Sequence, residues 1–473
     1  MTRIGIFFLL ISWTYGENCY LSDSELKELE NAFIAAEDHT TRIGSNQDAI
    51  MCLGATRSGK STLINYLIGN ELKGIKNLKY AEYKIIKANN ESIGPEIGQG
   101  PTSKTTIPTK WTSNKLSGFS IFDAPGFDDN RGPVQDITNS FHLYLLMRKV
   151  KSLKFVLVID FGDIERDITL PFFKLLRHFE NFFGDKFAMF FSSISVVFTK
   201  VPSEIDETEV DIEMIKHLLN KKAIVIKSVS SANLNNFLDY IIKNSSHIAL
   251  FRKAESNRID SSYIGIKIFP AISNSDSVNR SVLQNIAPSV STKSHVCMFQ
   301  VKNKLTSISE FTNILESLLN LFISILSDWK HSNMTPNNNT IKKIKKIFYF
   351  QKLQTNSIKN EFDVYKIIEA FGKMDSKIEN EIKKSSLLRK IKIFYFVSRL
   401  FKMDDFKQLH RSFENLRMIL RKEIYKIYLS NFKEIIGKWM HGRSVGDKVK
   451  PKFFLLLGMI FFFFYINHNH ISN

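Results

Sequence analysis

The stretch "AIMCLGATRSGKSTLINYLIG", residues 49–69, restricts the fold of this chain more than any other part of it. An apolar run ends in Cys52 and Leu53, a turn of small residues follows, and a hydroxyl-rich start opens an apolar helix. Gly54 to Ser61 matches G-x-x-x-x-G-K-[ST], in the strand, turn and helix context that gives the pattern its meaning. Small residues let successive backbone N–H groups wrap a phosphate at a helix N-terminus, where the dipole favours anions. The candidate phosphate cradle is therefore Gly54, Ala55, Thr56, Arg57, Ser58 and Gly59 with Lys60, Ser61 and Thr62. Lys60 is expected to neutralise β- and γ-oxygens, and Ser61 to offer its hydroxyl to Mg²⁺.

From Ala49 to about residue 250, strand-like runs alternate with helical patterns: "AIMCLG", "FSIFDAPG", "KFVLVIDF", "SISVVFTK" and "KAIVIKSV". Continuous apolar runs suit parallel strands buried on both faces. Their alternation with helices predicts an open α/β sheet with its ligand at the carboxyl ends of the strands. The second run ends in Asp123 and is followed by Gly126. Asp123 is the candidate for the Mg²⁺ shell, and the N–H of Gly126 can approach a γ-phosphate because no side chain intervenes. Between the two motifs, "PTSKTTIPTKW" supplies Thr105 and Thr106 as candidates for a switch threonine bonding metal and γ-phosphate. The alternative for that segment is a Thr-rich surface loop.

On "GATRSGKSTLINYLIG", "TSKTT" and "DAPGFDD" the chain resembles translation-factor-class GTPases, particularly the septin-like, Era-like and immunity-associated groups. The resemblance spans about residues 47–250. It implies a Ras-like G domain with a mostly parallel sheet, Mg²⁺ and GTP as cofactor and nucleotide, and slow hydrolysis. It also implies a base-reading Asn/Thr-Lys-x-Asp motif at "VVFTKVPSE". Thr199 and Lys200 fit that motif, but Pro202 occupies the aspartate position, where a carboxylate would accept from the guanine N1–H and amine. Glu204 or Asp206 could substitute only if the loop bends differently. The run "AIVIKSV", read as a strand, places Ser230, Ser231 and Ala232 as the last base-contacting loop. Phe127 stands where many signalling GTPases carry a water-orienting glutamine, so hydrolysis must recruit another group. Arg57 is the candidate: guanylate-binding proteins and atlastins, which the chain resembles locally in this loop, use an arginine here as a finger in cis after their G domains dimerise. The catalytic candidates are thus Arg57, Lys60 and Thr106, and the metal candidates Ser61, Thr106 and Asp123.

Outside this region, "SDSELKELENAFIAAEDH" reads as a lead-in helix with Ser22 as N-cap. Residues 256–300 are Ser- and Asn-rich and read as a junction. Two long segments then carry apolar residues at helical spacing. One has Leu305, Ile308, Phe311, Leu315, Leu318, Phe322, Ile325 and Trp329, the other Phe413, Leu416, Leu420, Ile424, Ile427 and Ile435. The C-terminal region is therefore expected to be all-helical. Formal net charge is +18, and residues 341–450 hold 27 Lys and Arg against 12 Asp and Glu. Such a region could meet acidic lipid, nucleic acid or an acidic partner, or simply form a solvated face. No RNA- or DNA-binding module accompanies it, so no nucleic-acid partner is expected.

The termini point to opposite addresses. Arg3 before "IGIFFLLISW" and small residues before Glu17 read as a cleaved secretory signal over residues 1–16. Lys448, Lys450 and Lys452 before the 14 apolar residues Phe453–Ile466 read as a basic-flanked membrane anchor with the bulk of the chain cytoplasmic. At about 21 Å that helix is short against a hydrocarbon core of roughly 30 Å. The three cysteines, Cys19, Cys52 and Cys297, show neither a disulfide framework nor zinc-ligand spacing. The expected organisation is a signal (1–16), a lead-in helix (17–46), a G domain (47–255), a junction (256–300), a basic helical region (301–447) and an apolar tail (448–473). The leading function is a GTPase whose nucleotide state controls the helical, membrane-directed appendage, with guanine nucleotide, a second copy through the G domain and acidic lipids as partners. The alternatives are a non-hydrolysing nucleotide-binding scaffold and a P-loop ATPase or kinase.

Overall fold

The computed structural model of the chain describes residues 19–43, 47–98, 107–126, 131–284, 286–331, 361–401, 407–420, 422–423 and 426. The candidate signal, the apolar tail, Thr105, Thr106 and Phe127 lie outside the described residues. The chain divides into two compact units, residues 1–302 and 303–473.

The first unit opens with α1 (Asp23–Arg42). Ser22 caps it as the sequence predicts: its hydroxyl accepts from the Glu25 N–H, and the Glu25 carboxylate accepts from the Ser22 N–H in return. Then follow β1 (Asp48–Gly54), α2 (Lys60–Leu67), the hairpin strands β2 (Leu72–Ile75) and β3 (Lys84–Lys87), β4 (Thr109–Thr112), β5 (Phe119–Asp123), α3 (Pro133–Lys149) and β6 (Ser152–Asp160). After a short α4 (Gly162–Glu165) come α5 (Leu170–Phe183), a 3₁₀ segment (Gly184–Ser193) and β7 (Ile194–Val201). The two-residue strands β8 (Glu204–Ile205) and β9 (Thr208–Glu209), α6 (Ile212–Lys227), α7 (Ala232–Lys243) and β10 (Ile248–Arg252) follow.

The eight-stranded main sheet is built on the path β4-β5-β1-β6-β7-β10, parallel except where β4 meets β5, and two further two-residue strands given below pair antiparallel with β10 and β6. This is the open, mostly parallel α/β sheet that the alternating apolar runs predict, and the arrangement that the GTPase resemblance implies. Both faces are covered, which is why the strands read as unbroken apolar runs rather than alternating ones. Met51, Leu53, Phe122, Phe155 and Leu157 join the core under α3, α5 and α7, while Ile50, Cys52, Ile121, Val156 and Val158 pack against α2. The first of these cores is rich in phenylalanine. Phe155, Phe179, Phe183 and Phe190 meet at ring distances of 4.7–6.2 Å, with Phe187 and Phe237 closing the cluster. Edge-to-face contacts of this kind contribute about 0.5–1.5 kcal/mol each beyond burial.

Three expectations are corrected. "KAIVIKSV", expected as a strand, forms the end of α6 as far as Lys227, and Ala223 and Ile226, three apart, are buried while Ile224 and Val225 between them are exposed, a helical spacing. The strand at that place in the sheet is β10, built from "IALFR". Cys19 and Cys297, expected free, form a disulfide across 278 residues of chain with a Cα–Cα distance of 4.9 Å. Residues 256–300 carry structure of their own. They form α8 (Ser261–Ile264), β11 (Gly265–Ile266) paired to β10, α9 (Ile268–Asn274), β12 (Val278–Asn279) paired to β6, α10 (Arg280–Leu283) and the start of α11 (Thr292–Leu305).

The second unit is helical: α12 (Ile308–His331), α13 (Glu361–Gly372), α14 (Ser376–Lys384) and α15 (Leu387–Leu400). Phe311, Leu315, Leu318, Phe322 and Ile325 of the predicted stripe are buried, with Phe311 against Phe394 and Phe322 against Phe371. Phe413, Leu416 and Leu420 are buried as well, while Ile424, Ile427 and Ile435 lie outside the described residues. Among the described residues one helical stretch, Thr292–Ile325, is long and apolar enough to cross a membrane by length and composition.

Candidate functional site

Register places the two phosphate motifs side by side. Central β1 pairs in parallel with β5, opposing Cys52 to Asp123, and with β6, opposing Gly54 to Val158. The turn after Gly54 and the carboxylate of Asp123 therefore emerge together at the carboxyl edge of the sheet. Gly59, with φ +88°, turns the chain into α2 in a conformation that side chains resist. Gly126 lies against the turn so closely that a Cβ there would come within 2.6 Å of Thr56 Oγ1 and 2.7 Å of Thr56 N.

Lys60 folds back over the loop and donates to Ala55 O at 2.8 Å and Gly54 O at 3.2 Å. The Ser61 hydroxyl donates to Asp123 Oδ2 at 2.9 Å. A hydroxyl and a carboxylate in contact make a hard-oxygen donor pair that suits Mg²⁺, an ion usually held by one or two protein oxygens, phosphates and water. Among the described residues no group of three or more His, Cys, Asp or Glu is placed to hold a metal ion. Ser58 Oγ is buried with no hydrogen-bond partner among the described residues, a donor within the cradle for an oxygen ligand. Cys52, behind the loop, is held as a thiol by burial and by the Asp123 carboxylate, both of which push its pKa up. Arg57 is exposed and has φ +70°, a left-handed conformation uncommon outside glycine. Thr62 follows in the first turn of α2.

The base-reading residues separate into those the structure brings to this edge and those it does not. The Thr199 hydroxyl donates to Ser58 O at 2.6 Å, with Ile159 O at 3.1 Å, and so anchors the phosphate loop to β7. Lys200, at φ +56°, is paired with Asp160 Oδ2 at 2.5 Å. Pro202 leads into the β8–β9 hairpin, whose turn residues Asp206 and Glu207 have positive φ. Beneath it the fully buried Arg252 donates to Pro202 O at 2.9 Å, Ser203 O at 3.1 Å and Glu209 Oε1 at 3.0 Å. Glu204 and Asp206 are carried out into solvent on this hairpin. Ser231 and Ala232 open α7 instead of closing a strand: Ser231 is the N-cap, accepting from Leu234 N, and its hydroxyl donates to Glu180. The assignment of these two residues to the base rested on the strand that folds as α6. The loop that does follow the neighbouring parallel strand is Lys253–Asn257, missed because the apolar run "AIVIKSV" earlier in the chain reads as the last strand.

No protein-family model matches the sequence, and no curated protein does. Solved structures align with the chain at low identity. One described by the dimerisation and GTPase activity of the chloroplast translocon components atToc33 and psToc159 is 14% identical, with 56% of this chain and 94% of that chain covered and a TM-score of 0.29. A dimerisation-deficient mutant of Toc33 from Arabidopsis thaliana is 12% identical over 59% of this chain and 93% of that one, with a TM-score of 0.27. NFeoB of S. thermophilus bound to GDP and AlF₄⁻ is 11% identical over 75% and 99%, with a TM-score of 0.24. The strand order, the phosphate loop and the Asp123–Gly126 turn of this chain are those of a P-loop GTPase fold.

Proposed function

We propose that the chain binds Mg²⁺-GTP in the Gly54–Thr62 cradle and hydrolyses it slowly, its nucleotide state governing the helical region. The observation that carries this reading is the contact between Ser61 and Asp123, with Lys60 poised over the same loop. Residues 62 positions apart in sequence meet where a metal-bound phosphate would lie. Ser61 and Asp123 would hold Mg²⁺, which supplies charge neutralisation of the phosphates when bound. Lys60 exchanges two neutral carbonyl partners for phosphate oxygens, a gain in charge-assisted bonding. Thr106 is proposed as the switch threonine of the same shell.

Arg57 is proposed to stabilise charge developing on the transferred phosphate once two G domains meet, since its exposed place in the loop leaves the guanidinium available to that face. This makes a second copy of the chain the proposed partner. The group within the GTPases is proposed as septin-like, Era-like or immunity-associated, on the motifs alone. Acidic lipid is a proposed partner of the basic region and of residues 448–473. The Cys19–Cys297 bond favours the secretory address over the cytoplasmic one, because disulfides persist in oxidising compartments.

Fluorescent-nucleotide binding to the full chain tests the core of this reading. Lys60→Ala should abolish Mg²⁺-nucleotide binding, and GTP should compete better than ATP. Near-normal affinity in the variant would remove the phosphate-loop assignment, and equal competition would remove guanine.

A further inference from the structure

A GTPase that lacks the base-reading aspartate must find its carboxylate elsewhere, and the loop after β10 holds one in place. Parallel pairing of β7 with β10 sets their carboxyl-end loops side by side, and the Lys253 N–H continues the pairing to Val201 O at 2.9 Å. Two residues on, Glu255 reaches across and accepts from the Ser203 N–H through Oε1 at 3.1 Å. Its carboxylate is thereby fixed at the residue that follows Pro202.

We propose that Glu255 is the guanine-reading carboxylate of this chain, supplied from the loop after β10 in place of the aspartate that Pro202 displaces. The proposal rests on the guanine-nucleotide reading given above. The chemistry matches: N1–H and the exocyclic amine of guanine are adjacent donors, and an ionised carboxylate offers two oxygens with about four acceptor sites, of which Ser203 takes one. Adenine presents an acceptor at N1 and no amine at C2, so the same carboxylate disfavours it. Glu255 is exposed, as are Glu204 and Asp206 on the hairpin; what sets it apart is its bond to the Ser203 N–H, and Glu209 is engaged with Arg252.

The loop is built to hold a side chain in register. Asn257 O accepts from Gly74 N at 3.0 Å, and Ser256 O lies so close to β2 that a Cβ on Gly74 would come within 2.2 Å of it. Ala254 is buried, Lys253 pairs with Glu82 at 3.5 Å, and Ser256 Oγ donates to Arg258 O at 2.6 Å. On the facing side the Arg252 guanidinium fixes the Pro202 and Ser203 carbonyls. The Glu255 carboxylate bridges the two loops.

The test is base exchange in the full chain. Xanthine differs from guanine by a carbonyl in place of the amine, so Glu255→Gln, which presents an amide donor and an acceptor, should lower GTP affinity about tenfold to a hundredfold and raise that for xanthosine triphosphate. ATP affinity should change less than threefold. Glu255→Ala should lose GTP without gaining the xanthine nucleotide, and Glu204→Gln should leave all three affinities as they were. Inorganic tripolyphosphate binding in each variant reports an intact phosphate loop. A GTP-to-xanthosine ratio unchanged within twofold in Glu255→Gln would overturn the role of Glu255 while leaving GTP binding standing. A wild-type chain that does not distinguish GTP from ATP would overturn the guanine reading and this proposal together.

Discussion

Gly126 and Asp123 set the phosphate end of the site by different physics. Gly126 permits contact: its missing side chain lets the turn lie against Thr56. Gly126→Ala should push that turn away from the loop and lower affinity for a triphosphate while sparing a diphosphate, which makes no γ-phosphate contact. Equal loss of both in a titration would assign Gly126 a purely structural role. Asp123 is proposed to provide charge at the metal. Asp123→Asn keeps its shape and a partner for Ser61, so the fold should survive while the Mg²⁺ dependence of nucleotide binding flattens. A thermal melt with and without Mg²⁺-nucleotide separates these outcomes. Arg57 differs from both because its expected effect is on rate. Arg57→Ala should preserve affinity and slow hydrolysis on the order of a hundredfold or more, with the wild-type rate rising with protein concentration. A concentration-independent rate that survives the substitution would leave Arg57 a surface residue.

At the scale of elements, the packing of α1 on α3 carries a proton-sensitive contact. Phe33 and Phe141 meet at 4.5 Å, and on the same two helices His39 and His142 sit edge to face at 5.8 Å. Burial, reinforced by the neighbouring His39, pushes the pKa of His142 down from 6.5 to about 4, and burial with nearby Arg42 lowers that of His39. The unfolded chain therefore binds the proton more readily than the folded one. Stability is fully present above about pH 6.5 and is lost as pH falls from there toward 4. Chemical denaturation across that range should show a slope that His142→Asn reduces; an unchanged slope would place the acid sensitivity elsewhere. The Cys19–Cys297 bond adds a second constraint, tying the lead-in to α1 onto α11. Unfolded without reductant, the chain should expose one titratable thiol, Cys52, and reduction should cost about 2–5 kcal/mol of stability.

For the whole molecule the decisive feature is its division into an α/β unit and a helical unit, each with its own core. The Phe-rich core of the first and the Phe311, Phe322, Phe371 and Phe394 contacts of the second both belong to structure internal to their unit. Calorimetry should resolve two transitions, and Mg²⁺-GTP should raise that of the α/β unit by mass action. A rise in both transitions together would mean that the nucleotide state reaches the helical unit, as the proposed function requires.

By itself the sequence located the residues proposed for the phosphate end of the site. A phosphate loop is local chemistry, in which residue types, spacing and flanking elements all lie within some twenty positions. The buried strands β1, β5, β6 and β7 were legible for a related reason, since burial on both faces writes an unbroken apolar run. "KAIVIKSV" carries the same kind of run on a helix, and only the burial of Lys222, Ala223 and Ile226 on one side shows which it is. The proposed base end of the site belongs to tertiary structure. Glu255 reaches Ser203 across 52 positions, Arg252 reaches Pro202 across 50, and Cys19 reaches Cys297 across 278. Such pairs leave no periodic signal, because what joins them is the parallel register of two strands and the path of the chain around the sheet.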